Sequence, residues 1–441
     1  MLPGRPKHLS RTGWLLTLLA AGLAVFSLAY KSWGTLAGDP RPLLTGADDT
    51  GYYLWLRSGV IDGDFDFRND LRETPTLDAA AQAEWLALPL TPAGRVPDKF
   101  PVGWAVATLP FFLLAHGVAL AAGMPADGWS PIYFVGVWCG QLLIAAGGAF
   151  CALAVLRRFM SAATAWSVFL VLWIASPLAY YQTARVSMVH SQLFALTAAV
   201  TYLGTRIAER RDRWGQWLAL GLLGGLLVIT RATSVVYLFY PALVVGQRLF
   251  SKDADGRPWG RVAALLLPAV AMVTLQALAA RIVNGNWLAE PYPGETFSFA
   301  HPQLLAVLFS SRHGLFYWHP LLLAGAVGLL WAVSARAVPW VWAVSFAVMI
   351  YLNAAWWCWW FGSSFGNRAF EGAVLYCMAG LGFGWEQLHV YPRVRFALRL
   401  AGAAGVTFGL FVFVLYNCRL VDRSDPVSYA QMWQVVWLWR P

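Results

Sequence analysis

The feature that most constrains this chain is the recurrence of apolar runs long enough to cross a bilayer. "WCGQLLIAAGGAFCALAVL" (138–156) carries no charge over its whole length and then meets Arg157-Arg158. A hydrocarbon core needs roughly 20 such residues, and a run of this kind crosses as a helix because the helix satisfies its own backbone. Crossings are predicted at 13–32, 132–156, 162–180, 189–206, 215–231, 233–250, 262–283, 315–334, 338–355, 371–389 and 397–417. Only 12% of the residues are charged, against about 25% in soluble domains. The predicted class is an all-α integral membrane protein with about 11 transmembrane helices, built as one polytopic domain over 1–441.

Charge sets the orientation. Basic residues gather in alternate short loops: the N-terminus, Arg157-Arg158, 206–213, 248–261, Arg336 and 393–399. That side of the membrane, with Glu386 at the end of a span, holds 17 Lys and Arg against 5 acids, and the other side holds 15 against 17. By the positive-inside rule the basic loops and the N-terminus face the cytoplasm, and the C-terminal tail 418–441 lies outside an inner or plasma membrane. The net charge of +10 is thus spread over loops. It forms no basic, solvent-facing nucleic-acid module. The stretch 15–30 follows a basic N-terminus as a signal peptide would, but no small-x-small site closes it, so it is read as a retained first span. The five cysteines form no C-x-x-C pair and read as small buried hydrophobes. Two segments strain the pattern. "GWAVATLPFFLLAHGVALAAG" (103–123) is long enough to cross, yet a crossing there would invert the charge bias of every later loop. It is therefore expected as a re-entrant or surface helix of the first extracytoplasmic loop, 33–131. Arg231, in "VITRATSVV", is a charge at membrane depth, where an Arg normally faces a polar cavity.

The outer side holds nearly all the polar complexity, and the inner loops leave no room for a nucleotide-binding domain. No P-loop or G-x-G-x-x-G occurs. Asp48 and Asp49, in "LTGADDTGYY", are adjacent acids that raise each other's pKa and can serve as a general base; "ADDTGYYLWLRSGV" also reads as a helix cap leading into an amphipathic helix. In "DGDFDFRNDLRE" (62–73) acids fall as in a calcium loop, with Asp62, Asp64 and Asp66 as ligand candidates, but Phe67 stands where the turn needs Gly. A divalent cation is the one cofactor the sequence admits. Lys99 in "VPDKFPVGW", Arg185 and His190 in "YYQTARVSMVHSQ", Arg312, His313 and His319 in "LFSSRHGLFYWHP", and Arg368 and Glu371 in "WWCWWFGSSFGNRAFEG" bring cations and aromatic faces to the side that holds the Asp pair. Arg suits bidentate phosphate binding, and aromatic faces suit sugar rings and isoprenoid tails. Each taken singly also fits an interfacial belt. "MWQVVWLWRP" (432–441) reads as an interfacial Trp anchor.

In order and loop placement, "ADDTGYYLWLRSGVIDGDFDFRND", "DKFPVGW", "SSRHGLFYWHP" and "FGSSFGNRAF" resemble the polyprenyl-phosphate-sugar-dependent membrane glycosyltransferases of the GT-C fold, which include the protein O-mannosyltransferases and the lipid A aminoarabinose transferase. The resemblance implies transfer of a sugar from a polyprenyl-phosphate-linked donor to an acceptor hydroxyl on a lipid, glycan or protein at the extracytoplasmic face. It implies Asp48 or Asp49 as the base, with Asp49 favoured. Lys99, Arg312 and Arg368 would neutralise the departing phosphate. Tyr52, Tyr53, Arg185, His190 and His313 would contact substrate. The early acids, Lys99 and the late arginines would gather at one extracytoplasmic hollow. One departure stands out: relatives commonly place an acid in the second outer loop, where this chain has Arg185. The competing readings are a transporter or flippase of a lipid-linked or anionic substrate, which predicts internal repeats and deep charges, and a non-catalytic scaffold that keeps the fold.

Overall fold

The computed structural model describes residues 46–210, 213–250, 258–288 and 294–438, together with Leu44 and five positions between 18 and 26. The predicted first span, 13–32, lies outside the described residues except at those five positions. Helices dominate, and among the described residues the only β pairing is an isolated bridge between Phe297 and Trp356. Two compact units divide the chain: one draws on 29–147 and 185–295, the other on 148–184 and 296–441 together with 1–28.

The first unit begins with α1 (Ala47–Arg57), which widens into a π turn at Ser58–Asp62. Short helices α2 (Phe67–Glu73) and α3 (Ala79–Leu86) follow, each started by an aspartate. Asp66 accepts from the Arg68 amide and Asp78 from that of Ala81, which satisfies donors that a helix start leaves open. Then come α4 (Gly103–Ala121), α5 (Pro131–Leu156), of which 148–156 count with the other unit, α7 (Val189–Ala208), α8 (Trp214–Thr230), α9 (Phe239–Leu249) and α10 (Pro258–Asn284). The other unit holds α6 (Ala162–Ile174), α11 (Leu304–Phe309), α12 (Leu315–Trp318), α13 (Pro320–Ser334), α14 (Trp340–Ala355), α15 (Glu371–Leu388), α16 (Pro392–Asn417) and α17 (Tyr429–Leu438). Four helices, over 103–121, 131–156, 259–284 and 392–417, are long and apolar enough to cross a membrane, and four shorter ones are also apolar.

Small residues let these helices approach. A methyl group at Gly328 or Gly380 would overlap backbone of the facing helix, so α13 and α15 pack main chain against main chain. Gly221 and Gly225 of α8 do the same against Leu265 and Ala269 of α10. Lipid supplies no hydrophobic drive between helices, so close dispersion contact of this kind holds them together. Buried side-chain amides add hydrogen bonds: Gln141 of α5 and Gln192 of α7 both donate to the Thr108 hydroxyl of α4, at 2.7 and 3.0 Å.

Proline breaks several predicted spans. The helix expected over 162–180 ends at Ile174, because Pro177 disfavours helical geometry in the residue before it and removes a donor. The span expected over 315–334 is interrupted at His319, and Pro320 restarts it as the first residue of α13, a position suited to its fixed φ. Arg231 also sits at a break. Its backbone is extended (φ −158°, ψ 116°) between α8 and a 3₁₀ turn over Ala232–Leu238. α4 runs as one helix through Pro110.

Candidate functional site

The first unit gathers several of the candidate residues around α1. Nine of its 11 residues are buried, from Asp49 to Arg57. The amphipathic helix expected from "ADDTGYYLWLRSGV" is instead packed on nearly all sides. Gly46, in a left-handed conformation (φ 91°), turns the chain into the helix without a side-chain cap. Both aspartates fall in the first turn, where the helix dipole favours negative charge. Gly51 lies under the Phe100 ring, which a methyl group there would overlap. Tyr52 packs on Phe100 and Trp104 with centroids 4.8 and 6.0 Å apart. Tyr53 is fully buried and donates its hydroxyl to the Gly128 carbonyl.

Asp48 is half-buried and Asp49 is completely so, at 0% exposure. Asp49 Oδ2 accepts from Arg185 Nε at 3.3 Å and from the Ser187 hydroxyl at 3.2 Å. Both partners come from the short stretch that leads into α7, whose first turn carries the buried His190. Arg185, noted in the sequence as standing where relatives keep an acid, is thus the counter-charge of Asp49. Lys99 is 45% exposed at its side chain and pairs with Glu295 at 3.0 Å. Its neighbour Asp98 is buried, with Oδ1 accepting from the Phe100 amide at 2.9 Å. Burial pushes the Asp98 carboxyl well above the usual carboxylate range.

The acidic run 62–73 is organised by a guanidinium. Arg57, 5% exposed, donates to Asp62, to Asp70 at 3.0 Å and to Glu73 at 3.0 Å, and lies 5.6 Å from the Trp129 ring centroid. Asp64 accepts from Ser58 at 3.2 Å, and Asp66 pairs with Arg68 at 3.1 Å. Among the described residues no group of three or more His, Cys, Asp and Glu is placed to hold a metal ion. Burial, opposed by Arg57, raises the Asp70 carboxyl to about 7.

The second unit gathers Arg312, His313 and Arg368. His313 is 0% exposed and adopts a left-handed backbone (φ 62°), a strained geometry that persists only where surroundings hold it. Burial, then the charges of Arg368 and Arg312, lower its imidazole to about 4, while the Arg423 carbonyl and Asp422 pull the other way. The two arginines predicted from separate loops therefore act on one neutral histidine. Arg312 lies over the Trp360 ring, 4.1 Å from its centroid. Asn367 positions the turn that carries Arg368, accepting from the Ala369 amide and donating to the Trp359 carbonyl. Gly366 (φ 60°) presses against the His319 ring, where a methyl group would collide.

Three residues of these two groups, Ser187 and Asp98 in the first unit and Arg423 in the second, were not singled out in the sequence. Ser187 was passed over because a lone serine carries no signal. Asp98 stands beside Lys99 in "VPDKFPVGW", and a single acid in a turn carries no signal of its own. Arg423 was missed because the tail was read for its tryptophans, although "CRLVDRSDP" put two cations directly after the last apolar run.

No protein-family model and no curated protein matches the sequence. Solved structures do match. ArnT from Cupriavidus metallidurans in the apo state aligns at 15% identity over 97% of this chain and 68% of that one, with a TM-score of 0.52. The same protein bound to undecaprenyl phosphate aligns at 14% identity over 92% and 70%, with a TM-score of 0.48. The archaeal oligosaccharyltransferase AglB from Archaeoglobus fulgidus, in complex with an inhibitory peptide and a dolichol-phosphate, aligns at 12% identity over 95% and 57%, with a TM-score of 0.47. The first of these carries the fold assignment. This chain is a helical, multi-pass membrane protein that shares the fold of ArnT, the GT-C architecture that its sequence motifs resemble.

Proposed function

We propose that the protein transfers a sugar from a polyprenyl-phosphate-linked donor to an acceptor hydroxyl at the extracytoplasmic face of the membrane. The observation that carries this reading is the fate of the Asp pair: an acid placed in the first turn of a buried helix, completely enclosed, and held by Arg185 and Ser187. Burying a carboxylate is costly unless it is paired and used, and an extracytoplasmic Asp base is what the sequence resemblance implies. In this reading Asp48 and Asp49 supply the base for the acceptor hydroxyl, with Asp49 the favoured one. Deprotonation makes the hydroxyl oxygen the nucleophile at the sugar's anomeric carbon. The bond to the phosphate oxygen breaks, and polyprenyl phosphate leaves with the electron pair. Lys99, Arg312 and Arg368 stabilise the charge that develops there, the kind of help that is usually the largest in such chemistry. Tyr52, Tyr53, Arg185, His190 and His313 complete the substrate contacts.

The topology that goes with it has 11 crossings, a cytoplasmic N-terminus and α4 as a re-entrant or surface helix of the loop 33–131. The acceptor is a lipid, glycan or protein hydroxyl.

One observation favours a second reading, the non-catalytic scaffold. Asp49 sits in an ion pair with an arginine where relatives carry a second acid. The two readings separate in one experiment, which also tests transport. Purified protein in detergent, with no membrane to sustain a gradient, is given a labelled polyprenyl-phosphate sugar and a crude envelope acceptor. Time-dependent appearance of polyprenyl phosphate supports the transferase; its absence at every acceptor preparation supports the scaffold or transporter.

A further inference from the structure

The segment that joins α16 to α17 is tied down far more heavily than an exposed tail needs. Residues 418–428 reach both loops that carry the arginines of the second unit. On the 308–319 side, the Val427 amide donates to the Ser311 carbonyl at 3.3 Å. Arg312 Nε donates to the Ser424 carbonyl at 2.9 Å, with a second guanidinium nitrogen 3.8 Å from Asp425. The Tyr317 hydroxyl donates to the Val427 carbonyl at 3.2 Å and accepts from the Tyr429 amide at 3.0 Å. The two tyrosine rings stack with centroids 4.2 Å apart. On the side of the loop 361–370, the Ser364 amide donates to the Arg423 carbonyl at 3.2 Å. Arg423 itself is pinned at both ends. Its guanidinium donates to the Tyr180 hydroxyl at 2.7 Å and lies 4.6 Å from the Tyr416 ring centroid.

We propose that this strap is a positioning element of the anion-binding arginines, with Arg423 as its anchor. The inference rests on the lipid-phosphate reading above. Bidentate recognition of a phosphate demands that each guanidinium be held within about 0.5 Å by locked neighbours. Arg312 stands between the short helices α11 and α12, and Arg368 opens a 3₁₀ turn over Arg368–Phe370 that leads into α15. The strap is bonded to both loops and to the Tyr180–Tyr416 ring cluster. Its carbonyls at 423 and 424 and its amide at 427 bond to both loops and add to the direct packing of Arg312 on Trp360 and of Gly366 on His319.

The test compares farnesyl phosphate with farnesol as probes of the full-length protein in detergent, reading the ratio of their affinities. The ratio isolates the phosphate contribution, so general loosening of the fold leaves it unchanged. Arg423→Ala is expected to lower the ratio about tenfold, the loss of one charge-assisted hydrogen bond's worth of positioning, and Arg423→Lys to recover part of it through the Tyr180 hydroxyl. Tyr317→Phe, which releases the strap from its other end without touching an arginine, is expected to lower the ratio by a smaller factor. It decides the matter should Arg423→Ala fail to give monodisperse protein. A wild-type preference for the phosphate that is unchanged in these variants overturns the strap's role and leaves the lipid-phosphate reading standing. A wild type that binds farnesol as tightly as farnesyl phosphate overturns the reading and the strap together.

Discussion

Asp49 and Arg185 are separated by 136 residues in sequence and meet at 3.3 Å. The acid was legible, because two adjacent carboxylates beside aromatic residues are unusual near a bilayer. Its partner was not, since an ion pair across that distance is a product of tertiary packing and leaves no mark on local spacing. Removing one partner of a buried pair leaves the other charge uncompensated, at a cost of about 3–5 kcal/mol when burial is complete, and less here because the Arg185 side chain is 15% exposed. Arg185→Met should therefore lower the melting temperature of the detergent-solubilised protein by several degrees, while Asp48→Asn at the half-buried neighbour leaves it nearly unchanged. Scanning fluorimetry of the two variants checks this. Asp70 gives a pH signature. Its carboxyl is raised to about 7 in the fold, against about 3.9 in an unfolded chain. The stability it contributes is full below about pH 4 and is lost as pH rises through 7. Between those limits wild type should lose stability with rising pH more steeply than Asp70→Asn; parallel melting profiles for the two would refute the assignment.

Helices were legible where the apolar run was long. The predicted 132–156, 262–283 and 397–417 became helices over 131–156, 258–284 and 392–417. The breaks at Pro177 and Pro320 were written in the sequence as well, and a hydropathy window smooths over them. What no window could give is which helices touch. Gly328 and Gly380 mark such a contact, where α13 and α15 approach main chain to main chain. Gly380→Leu forces that approach apart, and overpacking of this kind destabilises by roughly 1–3 kcal/mol or more. The variant should express poorly or elute as aggregate in size-exclusion chromatography, whereas Gly402→Leu, which meets open space on α16, should behave as wild type.

At the scale of the whole molecule, charge distribution and apolar runs identified the class, and the match to ArnT at a TM-score of 0.52 agrees with the fold that the loop motifs resemble. The candidate residues were singled out loop by loop, and Arg423 shows the limit of that reading: a cation acquires meaning only when the fold shows what it holds. The charge bias also predicts an orientation. In a cysteine-less background, an impermeant maleimide should label Ser428→Cys on intact cells and Arg158→Cys only after lysis; the reverse pattern would invert the topology. The chemistry itself is decided by polyprenyl phosphate released from a labelled lipid-linked sugar by wild type, Asp48→Asn, Asp49→Asn and the double variant, each matched for folded protein. A general base contributes about 10²–10⁴-fold, so Asp49→Asn and the double variant should fall by at least 100-fold with Asp48→Asn less affected. Wild-type release rates in all three variants would show that neither carboxylate takes the acceptor's proton.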